Sequence, residues 1–165
     1  MINFTLEQKF RLSQTLGDLL LAQQASVATV ESCTGGGLAY AITEISGSSQ
    51  WFNQSWVTYA NEAKTSMVHV SEDILAQFGA VSKETVEQMA LGGQAIANAN
   101  YCIAVSGIAG PGGGSKDKPV GLVWFAIALP NESVLSFSRR FSGDRSLVRE
   151  QAIFLGLEKL IECLA

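Results

Sequence analysis

Two glycine-rich segments, each placed behind a short apolar run, constrain this 165-residue chain more than any other feature. The first is Ser32-Cys33-Thr34-Gly35-Gly36-Gly37, behind the β-branched stretch 26–31. The second spans 107–119 and follows the apolar stretch 101–106. A strand feeding a glycine turn leaves backbone N–H groups at the strand's carboxyl end, where an anion or a developing oxyanion is received. Around these segments helical and extended periods alternate. Thr5 and Gln8 form a capping box for a helix over 5–24 that carries Leu6, Phe10, Leu16, Leu19 and Leu20. Leu38 opens a short helix, 54–60 reads as a strand, and 61–69 as the helix it feeds. Ser71 and Ser82 are N-cap candidates, the latter for a helix over 83–98 with Val86, Met89, Ala90, Gly93 and Ile96 on one face. The strands 121–129 and 133–141 flank the turn Pro130-Asn131-Glu132. Gly143-Asp144-Arg145-Ser146 then opens a last helix bearing Val148, Ile153, Leu157, Leu160 and Ile161. Alternation plus one hairpin predicts an α/β fold, a three-layer α/β/α sandwich around a mixed sheet of about five or six strands, as a single domain over 1–165.

Composition narrows the functional classes. A hydrophobic fraction of 47% against 16% charged residues supports a sizeable core and excludes disorder. The 11 basic and 15 acidic residues leave a net charge of −4, without the basic excess that phosphate-backbone binding needs, so nucleic acid is not an expected partner. The apolar run 120–129 is too short for a bilayer, and the first residues lack a charged segment before an apolar one, which points to the cytoplasm and away from a membrane. Cys33, Cys102 and Cys163 are widely spaced, which predicts neither disulfide nor zinc finger. Low charge and abundant small apolar residues predict a homo-oligomer. From Gly110 a Walker pattern fails at Ser115, Asp117 and Pro119, and neither GxGxxG nor GxSxG occurs. His69 is the only histidine and lies between Val68 and Val70, which disfavours a Ser-His-Asp triad.

Five motifs in order carry a resemblance. They are Glu31-Ser32-Cys33-Thr34-Gly35-Gly36, Tyr59-Ala60-Asn61-Glu62-Ala63-Lys64, Gly79-Ala80-Val81-Ser82, the run Val105-Ser106-Gly107-Ile108-Ala109-Gly110-Pro111-Gly112-Gly113 with Lys118-Pro119-Val120-Gly121, and Phe141-Ser142-Gly143-Asp144-Arg145. Over nearly the whole chain the sequence resembles the CinA C-terminal domain family. That resemblance implies the same sandwich fold and, because the family includes nicotinamide-nucleotide amidohydrolases, hydrolysis of nicotinamide mononucleotide to nicotinic acid mononucleotide and ammonia, with no cofactor and no metal. It also assigns Ser32 as nucleophile. Ser106 stands where the family usually has threonine, and Gly37 where an aliphatic residue is common.

A serine without a usable histidine needs another base, and a lysine of depressed pKa, or a tyrosine bridging to it, is the remaining option. Tyr59 and Lys64 are the candidates, and Ser106, ending its strand, is the hydroxyl placed to relay a proton or hold substrate. The segment Thr34, Gly35 and Gly36 supplies amides for substrate and oxyanion. The phosphate of a nucleotide suits the amides of Gly110, Gly112 and Gly113 and the guanidinium of Arg145, with Lys116 and Lys118 assisting. Cys33 reads as a buried small hydrophobe, Glu31 as a solvated strand-end carboxylate, and Tyr40, Trp51, Trp56 and Trp124 as core or interface. The alternative to an amidohydrolase is a catalytically silent paralogue that binds a nucleotide or phosphate. A role in DNA uptake is a further alternative, against which the acidic charge stands.

Overall fold

Strand β1 (Val27–Glu31) is buried at every position, and β3 (Tyr101–Gly107) at all but its last, as expected of strands covered on both faces. The computed structural model describes residues 6–165. It arranges them as α1 (Leu6–Ala22), β1, α2 (Gly37–Thr43), a short 3-10 turn (Ser48–Gln50), β2 (Phe52–Val57), α3 (Asn61–Val68), α4 (Glu72–Phe78), α5 (Lys83–Ala97), β3, β4 (Leu122–Ala128), β5 (Val134–Arg140) and α6 (Arg145–Leu164). The sheet order is β2-β1-β3-β4-β5. β1 pairs in parallel with β2 and β3, whereas β3–β4 and β4–β5 are antiparallel. This is the expected α/β/α sandwich with a mixed sheet, here of five strands.

Each face has its own core. Leu16, Leu20, Leu38, Ile42, Val148, Leu157 and Leu160 cover one face from α1, α2 and α6, with Trp51 after the 3-10 turn, together with Ile103, Phe125 and Ile127 of the sheet. Val68, Val86, Met89 and Ala90 cover the other against Ala28, Val30, Cys102 and Ala104. Small residues set the distance between α5 and the sheet: a Cβ on Gly93 would lie 2.5 Å from Val30 Cγ2, so only glycine permits that approach. Ser82 and Asp144 cap α5 and α6 by accepting from Thr85 N–H and Leu147 N–H.

Several local expectations shift. β2 runs over Phe52–Val57 rather than 54–60; Thr58 N–H still donates to Glu31 O at 2.8 Å, and α3 follows from Asn61. A separate helix α4 fills 72–78; Ser71 stands at its N-cap position, but its side chain makes no capping bond. Ile96 is exposed on the solvent side of α5, so the buried face runs instead through Ala97. The proposed Thr5 capping box lies outside the described residues.

The topology determines where chemistry can sit. From β1 the chain crosses through α2 to β2 on one side, then returns through α5 over the opposite face to β3 on the other side of β1. The carboxyl ends of β1 and β3 therefore form the switch point of the parallel half, the usual ligand crevice of such sheets. Both glycine segments leave from that edge.

Candidate active site

Ser32 is the first residue past β1. Its N–H donates to Val105 O at 2.9 Å, extending the β1–β3 ladder by one step and locking the residue beside Ser106. A turn follows, in which Gly35 N–H donates to Ser32 O at 3.0 Å and both Gly35 and Gly36 adopt left-handed backbone (φ 61° and 91°). An open cavity of about 230 Å³ lies at this edge, and Ser32, Tyr59, Lys64, Ser106 and Arg145 all line it. The structure thus gathers the four candidate reaction residues and the candidate phosphate ligand around one space.

Two charged side chains that the sequence reading left out hold the Ser32 turn. Glu31 is fully buried rather than solvated. Its carboxylate accepts from Thr34 Oγ1 at 2.6 Å, Leu38 N–H at 3.0 Å and Ala39 N–H at 2.9 Å, so it satisfies the orphan donors at the start of α2. Arg149 reaches across from α6, with Nε donating to Cys33 O at 3.1 Å and Nη2 to Thr34 O at 3.2 Å. The available signal for Arg149 was its spacing of one helical turn from Arg145, which puts both guanidinium groups on one side of α6.

Lys64 enters from α3 and is fully buried. Its Nζ donates to Thr58 O at 2.6 Å and lies 3.4 Å from Tyr59 O and 3.3 Å from Ser32 Oγ. Among the described residues no carboxylate pairs with it. Burial pushes the lysine down from its ordinary value of 10.5, an effect partly opposed by the Cys33 sulfur. A neutral amine has two N–H donors and one lone pair. The carbonyls of Thr58 and Tyr59 accept from two of its donors, which leaves the remaining position of the amine at Ser32 Oγ. Cys33 is buried and its thiol is pushed up to about 12, chiefly by burial, which disfavours the thiolate and agrees with its packing reading.

The other expected residues take different places. Tyr59 is 60% exposed, and its hydroxyl accepts from Arg145 Nη2 at 2.9 Å instead of bridging to the Lys64 amine. Arg145 Nη1 donates to Gly110 O at 2.8 Å, so one guanidinium ties the β2 end to the second glycine loop. Gly112 and Gly113 are exposed and lie outside the cavity lining. Thr34, Gly35 and Gly36 line a neighbouring hollow with Lys9, Tyr40 and Arg149, and the Thr34 hydroxyl is turned onto Glu31. Lys118 donates to Phe78 O at the end of α4 and lies outside the cavity lining. His69 is exposed at the C-cap of α3, and Trp51 is buried in the core. Among the described residues no group of three or more His, Cys, Asp or Glu is placed to hold a metal, and no helix is long and apolar enough to cross a membrane.

Known proteins share this chain's pattern along most of its length. A protein of Escherichia coli (strain K12) named nicotinamide-nucleotide amidohydrolase PncC is 51% identical over 150 residues, covering 91% of this chain and 91% of its own. One of the same name from Pseudomonas putida is 48% identical over 151 residues, covering 92% and 94%. The crystal structure of the competence/damage inducible protein CihA from Agrobacterium tumefaciens superposes with a TM-score of 0.92 at 42% identity, over 94% of this chain and 95% of that one. The model of the CinA C-terminal domain matches residues 9–164, and with these relatives it establishes that the chain belongs to the CinA C-terminal domain family.

Proposed function

We propose that this protein is an amidohydrolase that converts nicotinamide mononucleotide to nicotinic acid mononucleotide and ammonia, with Ser32 as nucleophile and Lys64 as its base. The observation that carries the mechanism is the fully buried Lys64 amine 3.3 Å from Ser32 Oγ. The names of the relatives near half identity support the substrate. Neutral Lys64 takes the Ser32 proton as Oγ attacks the carboxamide carbon, and the negative charge collects on the carboxamide oxygen. The amides after Ser32 receive that charge; Gly35 N–H is not among them, since it closes the turn onto Ser32 O. The lysine ammonium returns the proton to the amide nitrogen, the C–N bond breaks, and ammonia leaves. Water, deprotonated by the same amine, then cleaves the acyl-serine ester and restores both residues. Ser106, buried beside Ser32, holds the reacting carboxamide. Arg145, positioned by Tyr59 and Gly110, meets the phosphate with its remaining N–H donors. The cytoplasmic location and homo-oligomeric state expected from composition are part of the same proposal.

Ammonia release tests it, with nicotinamide mononucleotide compared against nicotinamide riboside and glutamine. Ser32→Ala lowers kcat by at least about a thousandfold, as loss of an acyl-transfer nucleophile does, while Cys33→Ala keeps most of the activity. Full activity in Ser32→Ala refutes the mechanism. No ammonia from folded wild-type protein refutes the function and favours a phosphate-binding module.

A further inference from the structure

We infer that Ala80 and Val81 are specificity-determining residues, the apolar wall against which the ring that carries the carboxamide packs. They belong to Gly79-Ala80-Val81-Ser82, the one of the five ordered motifs to which the reaction itself gives no task. The inference rests on the amidohydrolase reading of the Ser32 cavity. Ala80 and Val81 line that cavity together with Ser32 and Lys64. Its other apolar side chains, Cys33 and Ala109, are only 6% and 4% exposed, whereas Ala80 and Val81 are half-buried and present their methyl groups to the space. Tyr59, the aromatic side chain on the lining, is tied through its hydroxyl to Arg145.

A carboxamide presented to Ser32 brings its ring into the same small space. The faces of a planar ring are carbon surface, which gains by leaving water for methyl groups, so the apolar surface beside the nucleophile is where the ring is received. An aliphatic carboxamide such as that of glutamine offers the wall no such face. The segment is also built to keep its shape. Gly79 takes a positive φ of 76°, and its carbonyl accepts from Ser82 Oγ at 2.9 Å and Thr85 Oγ1 at 2.7 Å, which folds 79–82 back onto the start of α5. Ser82 Oγ in turn accepts from Thr85 N–H at 3.2 Å. At the other end Lys118, from the second glycine loop, donates to Phe78 O, and a Cβ on Gly79 would lie 3.0 Å from its Nζ. These bonds fix both ends of the connection between α4 and α5 and leave its two middle side chains, one methyl and one isopropyl group, on the cavity.

The test reads turnover and ring binding separately. Ammonia release from nicotinamide mononucleotide gives kcat and KM. The rate at which a small dialkyl fluorophosphonate modifies Ser32, followed by mass spectrometry, is measured with nicotinamide or acetamide as competitor, two carboxamides that differ in the ring. Nicotinamide is expected to protect wild-type Ser32 at concentrations at least about tenfold lower than acetamide does. Val81→Thr keeps the shape of the side chain and replaces a methyl by a hydroxyl. It is expected to raise KM at least about fivefold with kcat within about threefold, to cut the preference for nicotinamide at least about threefold, and to hold the unprotected modification rate within about twofold. Ala80→Leu, which fills part of the space for the ring, lowers kcat/KM at least about a hundredfold. If Ala80→Leu does not fold, Val81→Thr decides alone. Equal protection by the two amides in the wild type, wild-type KM and preference in Val81→Thr, a modification rate that falls in step with turnover in that variant, or wild-type kcat/KM in folded Ala80→Leu overturns the inference. Wild-type protein that releases no ammonia, but whose Ser32 nicotinamide still protects, loses the nucleotide substrate and keeps the wall. No modification of wild-type Ser32 overturns both.

Discussion

The two glycine-rich loops begin as equals in the sequence and end as opposites in the structure. The loop after β1 is anchored on both sides, by the fully buried Glu31 carboxylate and by the Arg149 guanidinium, and every polar side chain in it has a defined partner. The loop after β3 is exposed from 111 to 117 and is tied mainly at its ends, by Gly121 N–H to Ile108 O, Ser115 N–H to Lys118 O and Arg145 to Gly110 O. Glycine content alone does not distinguish an anchored turn from an exposed rim. The difference comes from whether buried charges converge on the loop, since satisfied buried hydrogen bonds fix one geometry and solvated backbone tolerates many.

The contrast is tested most severely at the anchored loop. Lys64→Met lowers kcat by at least about a thousandfold while shifting the thermal midpoint by no more than about 5 °C, because the hydrogen bonds lost to Thr58 O and Tyr59 O are offset by removal of a buried amine. In the wild type, kcat/KM rises with pH through an inflection below 10.5, the neutral amine being the active form. The linkage runs the same way: between the lowered folded value and 10.5 the unfolded chain binds more protons, so the contribution of Lys64 to stability increases as pH rises through that window. A rate that falls through this window would remove Lys64 as base.

Glu31→Gln is the next largest change. It replaces one acceptor oxygen by a donor facing the start of α2, and urea unfolding should show a loss of about 2–4 kcal/mol at unchanged m. Stability equal to wild type would mean that the turn is held by something other than the carboxylate. At the rim, Arg145→Ala raises KM for nicotinamide mononucleotide about tenfold or more with kcat within about threefold, as expected for a contact made equally in ground and transition states; steady-state kinetics with the riboside should show little effect of the same substitution. The smallest effects compare glycines directly. Gly36→Ala places a side chain at φ 91° and costs about 1–2 kcal/mol, whereas Gly112→Ala, with open space around its Cβ, stays within about 0.5 kcal/mol. Equal losses at both positions in thermal unfolding would erase the distinction between the loops.

Local pattern was sufficient for the framework. Periodicity located the strands and most helices, α4 excepted, to within a few residues, because burial on one or both faces imposes spacing that is visible along the chain. The serine after β1, the absence of any histidine but His69, and the presence of Lys64 three residues into the helix after β2 were all readable without coordinates. The tertiary structure decided what those residues are. Lys64 suits the proposed base role only because α3 delivers it, fully buried, to a place where no carboxylate among the described residues compensates its charge, and desolvation is a property of surroundings rather than of sequence spacing. Glu31 and Arg149 were passed over for the same reason. Their partners are mostly backbone groups, which any residue type supplies, and for Arg149 those groups lie 115 and 116 positions away. Gly112 and Gly113 matched the composition of a phosphate loop as well as Gly35 and Gly36 did, yet only the packing of α6 against α2 and β3, with Arg149 reaching the turn after β1, determined which glycine turn would be anchored.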